Sequence, residues 1–392
     1  MTTAETITLP AARGGCPFDP PPAYQRAAPV SRVSLWDGTP CWLLTGYQEV
    51  RTALSDARFS ADQRSPGFPF LTRIARGLVV EKPSFLRLDD PEHSRLRRML
   101  TTDFLVKRVE AMRPGIQRIV DETLDAMTGH QAPADLLTEF ALPVPSLVIC
   151  ELLGVPYEDH AFFQLNGSRM LDTSAPAEVS RGALDALTEY LTALAADGRA
   201  HPDGILSRLA ARGDLTDQEI ASNGLLLLIA GHETTANMTA LSVLTLLQQP
   251  AQLRRLREDP TLIRGAVEEL LRYLSIVHTG LPRVALEDVE LGGVLVRAGE
   301  GVVCMLSAAN RDEELFAAGD ELDVERDARR HMAFGFGVHQ CLGQPLARAE
   351  LQIILETLLR RLPGLRLAVP FEQLVFRPEM FIYGVRELPV AW

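Results

Sequence analysis

The chain has 392 residues, 46% of them hydrophobic and 23% charged, with 39 Lys and Arg against 51 Asp and Glu for a net charge of −12. An acidic balance of this size argues against nucleic acid as the main partner and favours solubility, and the length suffices for a large core. The five cysteines (Cys16, Cys41, Cys150, Cys304 and Cys341) are odd in number, scattered and free of any CxxC pair, which speaks against a disulfide framework and fits a reducing compartment.

The opening residues, MTTAETITLPAARGG, lack the basic start and apolar run of a signal peptide. No stretch approaches the roughly 20 continuous apolar residues of a membrane span, so a cytoplasmic protein without membrane attachment is expected. Pro17, Pro20, Pro21, Pro22 and Pro29 predict an extended surface segment. A short β-like stretch over Pro40 to Thr45 and a helix from about Tyr47 to Ser55 follow. The segment Asp62 to Phe85 carries Pro66, Gly67, Pro69, Gly77 and Pro83 and reads as a long irregular loop, a feature that in a compact domain marks function or disorder. From Pro91 to about Arg212 apolar residues recur every three or four positions, the period of helices. Thr216 with Glu219 makes a capping box for a helix running to about Gln249, which at 1.5 Å per residue spans roughly 50 Å. A helix over Pro260 to Ser275, Val- and Gly-rich strands and turns over Leu281 to Met305, a helix over Gln344 to Arg361 and strands in the tail complete the chain. With no repeat and no linker, the expected fold is mainly α with small β-sheets (α+β), one domain over residues 1–392 built on a long central helix.

The most informative stretch is Phe334-Gly-Phe-Gly-Val-His-Gln-Cys-Leu-Gly-Gln-Pro-Leu-Ala-Arg348. Gly335, Gly337 and Gly343 permit tight turns and positive φ, so the loop can fold closely over a flat ligand. Cys341 stands just before Pro345, which suits the first turn of a helix. A thiolate there would face backbone N–H groups and the positive end of the helix dipole, contacts that lower its pKa. A lone cysteine in a glycine-rich turn is more often a small buried hydrophobe. This stretch, however, resembles the haem-binding signature of the cytochrome P450 superfamily, F-G-x-G-x-H-x-C-x-G-x-x-L-A-R, at every defined position. The resemblance implies haem b with its iron on Cys341, contacts from Ala230, Phe334, Gly335 and Gly343, and a thiolate whose electron density favours O–O cleavage.

Three further patterns agree. Glu269-Leu-Leu-Arg272 places a carboxylate and a guanidinium on one helix face. It resembles the family's E-x-x-R motif, with Arg326 in Asp323-Val-Glu-Arg as the third member and Leu322 departing from the Phe often found before that Asp; the implied role is structural. Within the long helix, Ala230-Gly-His-Glu233-Thr234-Thr includes Gly231, which costs about 1 kcal/mol in a helix interior relative to Ala. Small residues there would leave room for a ligand, and a Thr hydroxyl could open the helical ladder and hold water. The stretch resembles the family's A/G-G-x-E/D-T motif, which implies that Glu233 and Thr234 deliver protons during dioxygen cleavage. In Asp90-Pro-Glu-His93-Ser-Arg-Leu-Arg97, His93 and Arg97 share a helix face. With Arg283 and His339 they match the family's propionate partners, for which Arg is suited by its bidentate geometry.

The resemblance covers essentially the whole chain and is closest to actinobacterial enzymes that tailor natural products or oxidise xenobiotics. It implies a triangular-prism-like fold and a monooxygenase that inserts one oxygen atom from O2 into a lipophilic small molecule. A peroxide-driven peroxygenase and a non-catalytic recruitment module are the alternatives; Glu233 and Thr234 weigh against the first and the retained Cys341 against the second. The expected substrate wall comprises Leu226, Ile229, Ala230, His278, Leu281, Met380, Phe381 and the loop after Asp62. With no flavin or iron–sulfur domain in the chain, electrons from NAD(P)H are expected through a ferredoxin and a ferredoxin reductase. Arg95, Arg98, Lys107, Arg108 and Arg348 are the candidate docking cations.

Overall fold

The computed structural model describes residues 7–79, 83–172, 175–196 and 200–392. Its longest element is the central helix Asp217–Gln248. Thr216 starts it: its hydroxyl accepts from Glu219 N at 3.2 Å while the Glu219 carboxylate accepts from Thr216 N at 2.8 Å. Two of the N–H groups that a helix start leaves free are thereby satisfied. From Ala236 to Leu246 every residue is buried, the environment in which a helix apolar on all sides is stable. Helices Pro143–Leu153, Ala177–Ala196 and Gln344–Arg361 pack around it, and the last of these also packs along Val106–Thr128.

The β structure lies to one side. A six-stranded sheet runs in the order Thr8–Leu9, Val30–Leu35, Pro40–Leu44, Gly301–Cys304, Leu281–Ala285 and Phe59–Ser60. The parallel pairing of Trp42 with Val302 joins the two ends of the chain, and Arg283 is fixed opposite Val302 in the next strand.

Some expectations change in detail. Val30–Leu35 is a strand, paired antiparallel with Pro40–Leu44. The Pro-rich start contains a helical turn, Pro22–Gln25. The irregular loop contains the helix Arg73–Gly77, capped by Thr72; its residues 80–82 lie outside the described residues, as do 1–6 of the opening stretch and 173–174 and 197–199 of the helical region. That helical region is also interrupted by Ala134–Asp135, which pairs with Pro389–Ala391 of the tail. The predicted helix Pro260 to Ser275 resolves into a 3-10 turn, Pro260–Leu262, and the α-helix Ile263–Leu274. Among the described residues no helix is long and apolar enough to cross a membrane.

Candidate active site

The cysteine loop closes on itself, Cys341 N donating to Phe334 O at 2.9 Å. Gly335 and Gly337 take φ of +71° and +72°, and at Gly337 a Cβ would lie 2.2 Å from Leu54 O, so only glycine fits. Gly343 is different: with φ −78° it caps the helix Gln344–Arg361 in a conformation open to any residue, so the expected positive φ is not used there. Cys341 remains accessible although many protein atoms surround it. Burial pushes its thiol pKa up, outweighing the N–H groups of Gly343 and Gln344 and the guanidinium groups of Arg97 and Arg348. The N–H contacts lower the pKa as expected, but burial outweighs them.

Beside the loop, cationic and imidazole groups converge from four separate segments. Arg97 donates to Gln340 O at 2.6 Å, and the His93 and His339 rings stand 4.2 Å apart. Arg283 is buried, with one hydrogen bond, to Pro282 O at 2.8 Å. His93 Nε2 and His339 Nδ1 are buried without partners. Burial, with Arg283, His93, Arg97 and Arg87 around it, pushes His339 down to about 3. Arg87 joins this group unexpectedly: burial and the nearby Arg283 push it down to about 10. Its sequence setting, a lone Arg after Phe85-Leu, carried no signal. Arginines without a carboxylate partner, orphaned imidazole nitrogens and an accessible thiol form a donor set suited to a flat group bearing two carboxylates and a thiophilic metal. Haem fits that description.

On the central helix the less covered positions between Leu225 and Ala236 are Leu226, Ile229, Ala230, Gly231 and Thr234. Leu226, Ala230 and Thr234 are spaced by four residues and share one face. Ala230 is exposed although it lies mid-helix in the molecule's interior. The Thr234 hydroxyl donates to Ala230 O at 2.5 Å, and the helix runs unbroken through this point, so the expected opening of the ladder is absent. Gly231 serves packing as well as space: a Cβ there would lie 3.0 Å from the Ile149 side chain, so helix Pro143–Leu153 uses the missing bulk. Glu233 is buried on the covered side, its carboxylate accepting from Asn237 Nδ2 at 3.2 Å.

Of the other residues expected in a substrate wall, Leu281 and Phe381 are partly covered, whereas His278 and Met380 are buried. Burial pushes His278 down to about 4, leaving a neutral ring whose Nε2 donates to Met380 O at 2.8 Å. These two residues pin one segment to another rather than presenting open side chains.

Behind the loop, Arg272 uses all five donors: two bonds to Glu269, at 2.7 and 2.8 Å, and three to the carbonyls of Asn310, Gly319 and Glu321. Arg326 Nε reaches Glu269 at 3.2 Å, completing the expected trio. The neighbouring Glu268 was not singled out by sequence. Burial works to raise its pKa, but hydrogen bonds from His331 and Arg348 hold it down at about 2. Arg348 forks onto Glu268 at 2.7 and 2.9 Å and covers the Phe334 ring. Arg95 is bound to Glu92 and Glu219. Both are engaged in ion pairs while staying partly accessible, whereas Arg98, Lys107 and Arg108 are exposed.

This arrangement has the form of a haem-thiolate centre. A family model described as Cytochrome P450 matches residues 181–363. Cytochrome P450-SU2 of Streptomyces griseolus is 62% identical over 100% of both chains. Pentalenic acid synthase of Streptomyces avermitilis is 51% identical, covering 96% of this chain and 95% of its own. The solved structure of CYP105P1 in complex with filipin I matches with a TM-score of 0.93 at 46% identity, covering 99% of each chain. The chain belongs to the cytochrome P450 family. It is a monooxygenase that uses haem and O2, takes electrons from redox partners and acts on small molecules.

Proposed function

We propose that residues 1–392 form one catalytic domain that hydroxylates or epoxidises a lipophilic natural product or xenobiotic in the cytoplasm, with haem b on Cys341. The observation that carries this reading is the accessible Cys341 beside Arg97 and Arg283, which bond only backbone carbonyls, and beside the unpartnered ring nitrogens His93 Nε2 and His339 Nδ1. When bound, the haem supplies dioxygen activation, one oxygen atom entering a C–H or C=C bond of the substrate and the other leaving as water.

The protein's own residues do the rest. Arg97 and Arg283, with His93, His339 and Arg87, would hold the two propionates, cancelling charge that would otherwise be buried and unpaired. Ala230, Phe334, Gly335 and Gly343 would border the macrocycle. Leu226, Ile229, Ala230, Leu281 and Phe381 exclude water and favour an apolar substrate, while His278 and Met380 shape the wall from behind. Thr234, on the open face, holds a proton at its hydroxyl near the reacting oxygen, and Glu233 supplies that proton from the covered face. Pentalenic acid and filipin I, in the names of two similar proteins, support a natural-product substrate. Electrons are expected from NAD(P)H through a ferredoxin reductase and a ferredoxin docked on the exposed Arg98, Lys107 and Arg108.

Turnover of a lipophilic substrate panel under 18O2, with ferredoxin, reductase and NAD(P)H, tests this. Product carrying one labelled oxygen is expected. Oxidation that proceeds equally with peroxide alone and acquires no label from 18O2 would contradict it.

A further inference from the structure

Asn237 stands one helical turn after Glu233, and both are buried. Its amide Nδ2 donates to Glu233 O at 2.8 Å and to the Glu233 carboxylate at 3.2 Å. Its Oδ1 accepts from Arg377 Nη2 at 3.1 Å. A guanidinium only donates and a backbone carbonyl only accepts, so Arg377 on Oδ1 and Glu233 O on Nδ2 together fix which way the amide faces. Without Arg377 the amide loses the contact that holds its Oδ1 end, and only the bonds at Nδ2 remain. The 3.2 Å bond from Asn237 Nδ2 to the Glu233 carboxylate would then be held less firmly.

Arg377 is delivered by a hairpin. Arg377 N donates to Gly384 O at 2.9 Å, Phe376 bridges Val385, and Arg386 N donates to Val375 O at 2.8 Å. At Gly384 a Cβ would fall 1.7 Å from Asn237 Oδ1, so this backbone approaches the amide as only glycine allows. The hairpin's tip is Met380 and Phe381. Met380 O accepts from His278 at 2.8 Å, and Phe381 N donates to Leu171 O at 3.3 Å. One short segment thus touches the substrate wall at its tip and the buried acid through its stem.

We propose that Arg377 is a positioning residue for Glu233, acting through Asn237, and that it couples the substrate-facing hairpin to proton delivery. The inference rests on the reading of Glu233 as the proton-supplying acid. A purely structural Arg377 would change stability and leave proton delivery alone; a positioning Arg377 changes proton delivery in a protein that still binds haem.

The test compares the wild type with Arg377→Gln, Arg377→Lys, Asn237→Ala and Glu233→Gln as haem-loaded proteins. Two quantities are read: the fraction of NAD(P)H consumed that appears in product rather than peroxide, and the infrared carboxylate band that Glu233→Gln removes. Arg377→Gln and Asn237→Ala are expected to lower the product fraction severalfold and to shift that band, with haem content unchanged. Arg377→Lys, which keeps charge and one donor, should recover part of both. A folded Arg377→Gln protein with wild-type coupling and an unshifted band, alongside an uncoupled Glu233→Gln, overturns the inference and leaves the acid's role intact. If Glu233→Gln itself stays coupled, the reading of the acid fails and the inference falls with it. Should Arg377→Gln not fold, Asn237→Ala decides by the same two readings.

Discussion

Glu350 sits within the helix Gln344–Arg361, its Oε2 buried without a partner, and burial pushes its carboxyl up from an ordinary 4.5 to about 8. The native state therefore binds this proton more tightly than the unfolded chain does. The favourable contribution is fully present below about pH 4.5 and is lost as pH rises to about 8. Glu350→Gln, which stays neutral, should match the wild type in melting temperature near the lower value and exceed it near and above the upper one. A constant difference across that range would mean the carboxyl is paired in solution. Nothing in Ala347-Arg-Ala-Glu350-Leu announces this acid, because a lone Glu in a helix is usually solvated and burial here comes from the packing of three helices. Cys341, Arg97, Glu233 and Thr234 were legible for the opposite reason. The neighbours of Cys341, Glu233 and Thr234 break the ordinary rules of a stable element, with glycines in a loop and a Gly-His-Glu-Thr run inside an apolar helix, while Arg97 is read from its shared helix face with His93 and the family resemblance.

At the scale of elements, the Glu269–Arg272 pair joins helix Ile263–Leu274 to the segment between Asn310 and Arg326 that leads into the cysteine loop. Both side chains are fully buried. Glu269→Ala would leave a buried guanidinium without its counter-charge, a loss of about 3–5 kcal/mol. Denaturant unfolding should show a correspondingly large fall in stability, with haem lost alongside it. A variant with near wild-type stability and full haem content would show that the carbonyls alone suffice to hold Arg272. The E-x-x-R spacing made the pair visible, and Arg326 was assigned through its place before the cysteine loop. The adjoining contacts of Glu268 with His331 and Arg348 were hidden, since they close over 63 and 80 residues of sequence. The hairpin that carries Arg377 is hidden too, since nothing local to Phe376-Arg377-Pro378 ties this arginine to Asn237, 140 residues earlier.

For the whole molecule, helices were the readable part. Thr216 with Glu219 marks the start of the central helix, and Pro345 with the apolar period marks the helix after Cys341. The sheet was much less so. Phe59–Ser60 and Thr8–Leu9 are two residues long, and Trp42 finds Val302 across most of the chain, so local pattern says little about their pairing. What the fold achieves is convergence: strand Leu281–Ala285, helix Glu92–Thr101 and the cysteine loop bring Arg283, His93, Arg97, His339 and Cys341 together. The central claim is that a thiolate from Cys341 holds the haem iron. The most direct measurement is the absorbance spectrum of the dithionite-reduced protein with carbon monoxide, for wild type and Cys341→Ser. The account predicts a strongly red-shifted Soret band in the wild type and its loss in the variant. A well-folded, haem-loaded wild type without that band, or a variant that keeps it, would contradict the account.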